Sequence, residues 1–297
     1  QLIDRERPDI IHARSPVLTA LAALGPAGRA RIPLVYEIRA FWEDAAVGNG
    51  TGREGSLRYR ATRALETYAC RRADAVGAIC RGLVDDLAGR GIAREKLFEV
   101  PNGVDLGRFA FTDGAGRSGR APQVVQIGRY ASVKNQLLTV RAFGQVVERV
   151  ADARLVLYGV VEDPEYQRAV IQQVEALGLT GRVVVAGPRT DVASVLSESN
   201  VFVMPSRSEG HSVAFLEALA SGIPIVASKI PSFAFASGFA GVQLVDTDNV
   251  PCYADAVVVA LGQARAQRSL TGLTLRDTAA RYRAIAQQVS RHHLAVS

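Results

Sequence analysis

The sequence predicts an α/β protein built as two doubly wound domains, and three observations carry that prediction. Short apolar runs alternate with helical periodicity along most of the 297 residues, the pattern of a parallel sheet covered on both faces. One glycine-rich, apolar-poor stretch, "TDGAGRSGRAPQ" (112–123), interrupts the alternation and reads as surface loop or linker. The length suits one large domain or two ordinary ones.

In order, "PDIIHAR" (8–14) reads as a strand, "SPVLTALAALG" (15–25) as a helix and "IPLVYEIR" (32–39) as a strand. A long helix follows from about Ser56 to Arg72. "ADAVGAIC" (73–80) is a strand, "RGLVDDLAGRG" (81–91) a helix, and "KLFEVPNGVD" (96–105) a strand that ends in the turn residues Pro101, Asn102 and Gly103. Beyond the linker come "QVVQIG" (strand), "KNQLLTVRAFGQVVERV" (helix), "ARLVLYGV" (strand), "PEYQRAVIQQVEALGL" (helix) and "RVVVAG" (strand). "DVASVLSES" (short helix), "NVFVMPS" (strand), "SRSEGHSVAFLEALASGIPIV" (turn, helix, buried strand) and "GVQLVD" (strand) complete the pattern. A boundary near Val104 to Phe111 gives a first domain over 1–105 and a second over 106–270. A closing helix over 271–297 is expected to pack back toward the first domain. The first domain is short, and its opening reads as the tail of a helix followed by a late strand. With Gln1 rather than methionine at position 1, the expectation is that the start of that domain is missing.

Composition narrows the class. Hydrophobic residues make up 48% and charged residues 22%, enough for a sizeable core and too apolar for global disorder. No apolar run approaches the roughly 18 residues of a membrane span. Cys70, Cys80 and Cys252 have neither disulfide-like nor metal-like spacing, which fits a reducing cytoplasm. Among His12, His211, His292 and His293 there is no zinc motif; the last two could bind metal adventitiously. A net charge of +6 suits an anionic partner, either phosphate or an acidic membrane surface.

Ligands of doubly wound sheets gather beyond the carboxyl ends of the strands. Three such loops in the second domain carry unusual residues. "GRYASVKN" places Arg129 and Lys134 at a strand exit, where two cations can meet a diphosphate or simply solvate a loop. In "PSRSEGHSVAF", Gly210 permits close backbone approach, and the amides around His211, Ser212 and Val213 open a helix and form an anion site. Glu209 precedes that helix and can accept hydrogen bonds from sugar hydroxyls. Glu217 lies further along it beside Val213 and Leu216, and a carboxylate among apolar residues needs a partner; a ribose diol would supply one.

Taken together these motifs resemble the retaining GT-B glycosyltransferases of family 4. Glu209 and Glu217 match that family's E-x7-E signature, and "GRYASVKN" its phosphate-binding G-R-x(4)-K. "PNGVDLGRF" resembles its interdomain segment, "PDIIHARSP" and "IPLVYEIRAFWED" the later part of its N-terminal domain, and "LRDTAARYRAIA" its closing helix. The resemblance implies two Rossmann-like domains facing a cleft, and transfer of a sugar from a nucleoside-diphosphate donor to a glycan or lipid-linked acceptor with retention. It implies that Arg129 and Lys134 hold the diphosphate, Glu209 the donor sugar and Glu217 the ribose, with backbone around Gly187 and Arg189 meeting the base. No cofactor or metal is expected, because cations and the helix dipole would neutralise the leaving group, and no nucleic-acid partner is expected. The setting implied is surface polysaccharide or lipid-linked glycan synthesis in the cytoplasm, with possible peripheral contact at the inner membrane face.

The chain departs from the family in places. The glycine-rich loop after the family's first strand has no counterpart here, which puts activity in doubt. Arg39 stands where many members carry a histidine near the reacting sugar, and Arg14 where many carry the second histidine of H-x-H; both can bind an anion. His12 matches the first of that pair and reads as structural. Trp42 and Glu43, in "AFWED", join Arg14 and Arg39 as acceptor-side candidates. Arg53, Arg58, Arg60, Arg63, Arg71 and Arg72 make a basic helix face, either solvated with Glu54 and Glu66 interspersed or resting on anionic lipid. A nucleotide-sugar epimerase and a catalytically impaired nucleotide-sugar-binding module are the other readings.

Overall fold

The computed structural model describes residues 2–48, 51–114 and 119–296, without the side chains of 45, 48 and 292–296. Part of the glycine-rich linker (115–118) and the His292 and His293 side chains therefore lie outside what is described. The chain divides into two compact units, Gln1–Gly103 with Gly272–Ser297, and Val104–Thr271.

In the first unit a short helix α1 (Leu2–Glu6) leads into four strands, β1 (Ile11–Arg14), β2 (Leu34–Ile38), β3 (Ala75–Ala78) and β4 (Leu97–Glu99). They form one parallel sheet in sequence order. The crossovers are α2 (Val17–Ala30), α3 (Trp42–Gly48) with α4 (Leu57–Arg72), and α5 (Arg81–Gly89). All five residues of β2 are buried, as a strand covered on both faces requires. Alternation sends Leu34, Tyr36 and Ile38 into one core cluster with Ala20, Cys70 and Leu87. Val35 points the other way, into a cluster with Ala75, Val100, Ile285 and Val289. The last two come from the closing helix, α11 (Leu275–Val296). Its start is a capping box: Asp277 N donates to Thr274 Oγ1 at 3.2 Å, and Thr274 N donates back to Asp277 Oδ2 at 2.9 Å.

Two local expectations change. The helix expected to stop at Gly25 continues through Pro26 to Ala30, where Arg31 takes a left-handed cap, because Ala27 is buried in the core. Glu66, expected on a solvated face, is fully buried on the inner side of α4 and accepts a hydrogen bond from the Tyr36 hydroxyl. Burial raises its pKa; the Tyr36 bond opposes that without cancelling it.

The second unit holds six parallel strands: β5 (Gln123–Ile127), β6 (Arg154–Tyr158), β7 (Val183–Ala186), β8 (Val201–Met204), β9 (Ile225–Ser228) and β10 (Val242–Val245). Their spatial order, β10-β9-β8-β5-β6-β7, is the full doubly wound arrangement, two halves run outward from the middle. Helices α6 (Gln136–Arg149), α7 (Pro164–Ala176), α8 (Val192–Ser197), α9 (Val213–Ser221) and α10 (Val250–Leu261) connect and cover it. Asp163 caps α7 by accepting from Glu165 N and Tyr166 N, with Pro164 at the first helical turn.

The winding reverses between β5 and β8, which pair directly. Such a switch at the carboxyl edge is where open α/β sheets take ligands. Next to it β5 and β6 end in close contact. A Cβ on Gly159 would lie 2.0 Å from the Gly128 carbonyl oxygen, so only glycine fits there. Helix α9 is fixed at its far end: Gly222 caps it at φ 79°, and Arg265 donates to Ser221 O at 3.2 Å and to Ser199 O at 2.7 Å.

Candidate functional site

The loop leaving β5 contains a short 3-10 turn, Ser132–Lys134, and Asn135, whose left-handed backbone (φ 55°) opens α6. The Lys134 carbonyl is held from below by Gln126 Nε2 at 2.8 Å, and Gln126 is itself fixed by Thr139 Oγ1 at 2.6 Å. The loop leaving β8 runs back toward it, with Arg207 N donating to Val133 O at 2.9 Å. These braces bring two predicted site residues together. Lys134 Nζ lies 2.6 Å from Glu209 Oε1, and their side chains are only 14% and 8% exposed. A pair so nearly dry is stronger than a surface ion pair, and it presents a cation and a carboxylate side by side at the sheet edge.

Other predicted residues are placed differently. Arg129 is mostly exposed and pairs with Glu162, in the loop after β6, not with Glu209. The acid in "GVVEDPEY" was the available signal for that partner. Gly187 has open space around it. Arg189 forks onto Asp191, with Nε 2.7 Å from Oδ1, and lies 5.7 Å from the Tyr158 ring centre. Gly210 sits at a bend in the loop that joins β8 to α9. His211 stacks on Phe235, ring centres 5.5 Å apart, and Ser212 caps α9 by accepting from Phe215 N at 3.4 Å. Val213 is 44% exposed at the first turn of that helix.

Glu217 is half-buried one turn further on. Among the described residues its carboxylate has no hydrogen bond or ion pair. Desolvation pushes its pKa up to about 7, and the charge of Arg108 opposes that without cancelling it. A half-buried carboxyl group raised so far, with no partner among the described residues, is a candidate ligand contact.

In the first unit, Arg14 and Arg39 meet on Glu37, a residue that sequence reasoning missed. Arg14 Nε is 2.9 Å from Glu37 Oε2, Arg39 NH1 is 3.1 Å from Oε1, and His12 Nε2 is 3.2 Å from Oε2. Glu37 is buried. Burial alone would raise its pKa, but hydrogen bonds from His12, Tyr282 and Arg14 outweigh that and hold it down at about 2. The signal was there in spacing: H-x-R ends one strand and E-x-R the next. Only the register, Arg14 opposite Glu37, makes it a cluster. Trp42 is 51% exposed. Glu43, expected among acceptor-side residues, instead lies in the interior, 3.0 Å from Arg90 NH1, with both side chains at most 3% exposed. Arg90 also covers the Phe41 ring at 3.8 Å.

Comparison with known proteins follows the same division. Residues 1–108 match the sequence model of Glycosyltransferase Family 4, and residues 121–263 that of Glycosyl transferases group 1. A sucrose-phosphate synthase from Thermosynechococcus elongatus superposes with a TM-score of 0.75 at 21% identity, over 100% of this chain and 76% of that one. By fold the chain is GT-B, and both sequence matches are to glycosyltransferase models. An Escherichia coli protein, UDP-Gal:alpha-D-GlcNAc-diphosphoundecaprenol alpha-1,3-galactosyltransferase, is 31% identical over 148 residues, 46% of this chain and 37% of its own length. Glycogen synthase of Mycobacterium tuberculosis is 26% identical over 247 residues, 82% of this chain and 58% of its own. The chain thus spans about a third to somewhat over half the length of these curated relatives.

Proposed function

We propose that the protein transfers a sugar from a nucleoside-diphosphate donor to a glycan or lipid-linked acceptor, with retention at the anomeric carbon and without a metal ion. The observation that carries this is the Lys134–Glu209 pair at the winding reversal, with the partnerless Glu217 on the helix that follows. The second unit takes the donor. Lys134, Arg129 and the first amides of α9 neutralise the diphosphate, Glu209 orients the sugar hydroxyls, and Glu217 accepts hydrogen bonds from the ribose diol. Gly187 and Arg189 flank the base. The bond from the anomeric carbon to the diphosphate oxygen breaks first. The acceptor hydroxyl then attacks on the face the diphosphate left, and its proton passes to a diphosphate oxygen.

The first unit takes the acceptor. The E. coli relative acts on a sugar attached to diphosphoundecaprenol, which supports a lipid-linked acceptor and a place in surface-glycan synthesis. Helix α4 supports contact with an anionic membrane: Leu57, Leu65 and Tyr68 are 84%, 46% and 52% exposed along one stripe, flanked by the exposed Arg58, Arg60, Arg71 and Arg72. Apolar residues rimmed by arginines are the chemistry of a helix lying on lipid. Among the described residues no helix is long and apolar enough to cross a membrane.

A thermal-shift screen with UDP, GDP and ADP identifies the base, and donor turnover with the matching sugar nucleotide tests the reaction. The expected result is stabilisation by one diphosphate and turnover of its sugar conjugate. Stabilisation by none of the three contradicts the donor assignment.

A further inference from the structure

We infer that the carboxyl edge of the first sheet binds an oxyanion of the acceptor, a phosphate or a carboxylate, between the guanidinium groups of Arg14 and Arg39. The inference rests on the assignment of the acceptor to this unit. Its basis is an excess of positive charge, fixed in place. A buried carboxylate needs one cationic partner; Glu37 has two guanidinium groups, and His12 besides. Each guanidinium carries five N–H donors, and Glu37 engages each through one nitrogen, Arg14 Nε and Arg39 NH1.

The two cations are also held in position. Arg39 NH2 donates to Asn102 Oδ1 at 2.8 Å, and its backbone N–H to Ser15 Oγ at 3.2 Å. The carboxylate stays inside, with its side chain 1% exposed, while Arg14 and Arg39 remain 59% and 41% exposed. Forked donors already oriented by an inner anion lose little freedom when an outer one binds. Helix α2 adds to the site. It starts at Val17, three residues after Arg14, and no side chain caps it; Thr19, the nearest candidate, donates its hydroxyl to the Arg14 and Pro16 carbonyls instead. Thr19 N is spent on the Pro16 carbonyl, which leaves the Val17 and Leu18 amides at the end of the helix that follows Arg14. Position agrees as well, since β1 and β2 end together at the edge where parallel sheets take ligands.

The test reads the His12 ring by NMR, with its signals assigned through His12→Gln. The protein is first saturated with the best nucleoside diphosphate, which fills the donor site, and is then titrated separately with inorganic phosphate, pyrophosphate and malonate. A saturable His12 shift with at least one anion is expected, and the tightest arm separates a phosphate-bearing from a carboxylate-bearing acceptor. Arg14→Gln and Arg39→Gln should each weaken that response about tenfold, the loss of one charge-assisted contact. Arg14→Lys and Arg39→Lys keep a charge opposite Glu37 and secure the fold; they should weaken it less. No His12 response to any of the three anions, or an equal response in folded glutamine variants, overturns the inference. If no nucleoside diphosphate binds, the donor assignment has failed, and the same titration without nucleotide still decides this one.

Discussion

Glu37 and Glu217 are both carboxylates withdrawn from water near the carboxyl edge of a parallel sheet, yet they sit at opposite extremes. Glu37 is surrounded by donors from its own unit and is held down at about 2. Glu217 has a hydrophobic helix face, only the charge of Arg108 to oppose its desolvation, and a pKa near 7. The difference is one of supply. In the first unit the chain provides the acid's partners and leaves cations over; in the second it leaves the acid waiting. The topology differs in the same sense. The second sheet reverses its winding between β5 and β8, whereas the four described strands of the first run in sequence order. Glu37 is part of the framework; Glu217, on the proposed reading, takes a ligand.

Breaking the donor side should give the largest effect. Glu209→Ala is expected to lower donor turnover by on the order of 10²–10³-fold, the usual cost of losing a positioned polar group at a reacting centre. Unchanged turnover in the folded variant would remove Glu209 from the mechanism. Next in size is Glu37→Ala, which removes the inner acceptor of two half-exposed guanidinium groups. It should cost roughly 2 kcal/mol in urea unfolding, the loss of charge-assisted hydrogen bonds. Because the Glu37 pKa is depressed in the folded state, its stabilisation is present above about pH 4.5, the ordinary glutamate value, and is lost as pH falls toward 2. Acid unfolding of wild type should show that loss, and the variant should not. A Glu37→Ala protein as stable as wild type would show the cluster to be incidental.

Lys134→Ala should weaken nucleoside-diphosphate binding about ten- to a hundredfold, as the loss of one desolvated charge-assisted contact; calorimetry measures it, and equal affinity rejects the phosphate role. The smallest effect is expected on the surface of α4. Leu57→Asp, at an 84% exposed position, should lower co-sedimentation with phosphatidylglycerol vesicles a few-fold, the loss of one apolar side chain from an interfacial helix. It should leave thermal stability unchanged. Vesicle binding indifferent to this change and to ionic strength would argue against lipid contact.

Much of this architecture is legible in the sequence because strand and helix periodicities are local. The β5 and β8 loops carry their glycine, lysine and glutamate in order, so the Lys134 and Glu209 neighbourhoods stand out from residue order alone. Which charges meet is not local. Glu37 looks like one more residue of an apolar strand until register sets it opposite Arg14. Glu66 looks solvated, and Glu43 like an acceptor-side residue, until α4 and α3 turn them inward onto Tyr36 and Arg90. Helix α10 goes unread because "VPCYADAVVVAL" is apolar almost all round and shows little periodicity. Arg265 and Arg268 follow it in a segment without regular structure, and their role is to satisfy buried carbonyls at the ends of α8 and α9.

The central claim is that Glu217, raised by burial, takes its partner from a ligand. Calorimetric titration with the nucleoside diphosphate, in buffers of differing ionisation heat across pH 6 to 8, tests it most directly. If the ribose hydroxyls donate to the carboxylate, binding lowers its pKa. Affinity should then rise with pH and level off above about 7. Near pH 7 wild type should release a fraction of a proton more per nucleotide than Glu217→Gln does. Proton release and pH dependence identical in the two proteins would contradict the account.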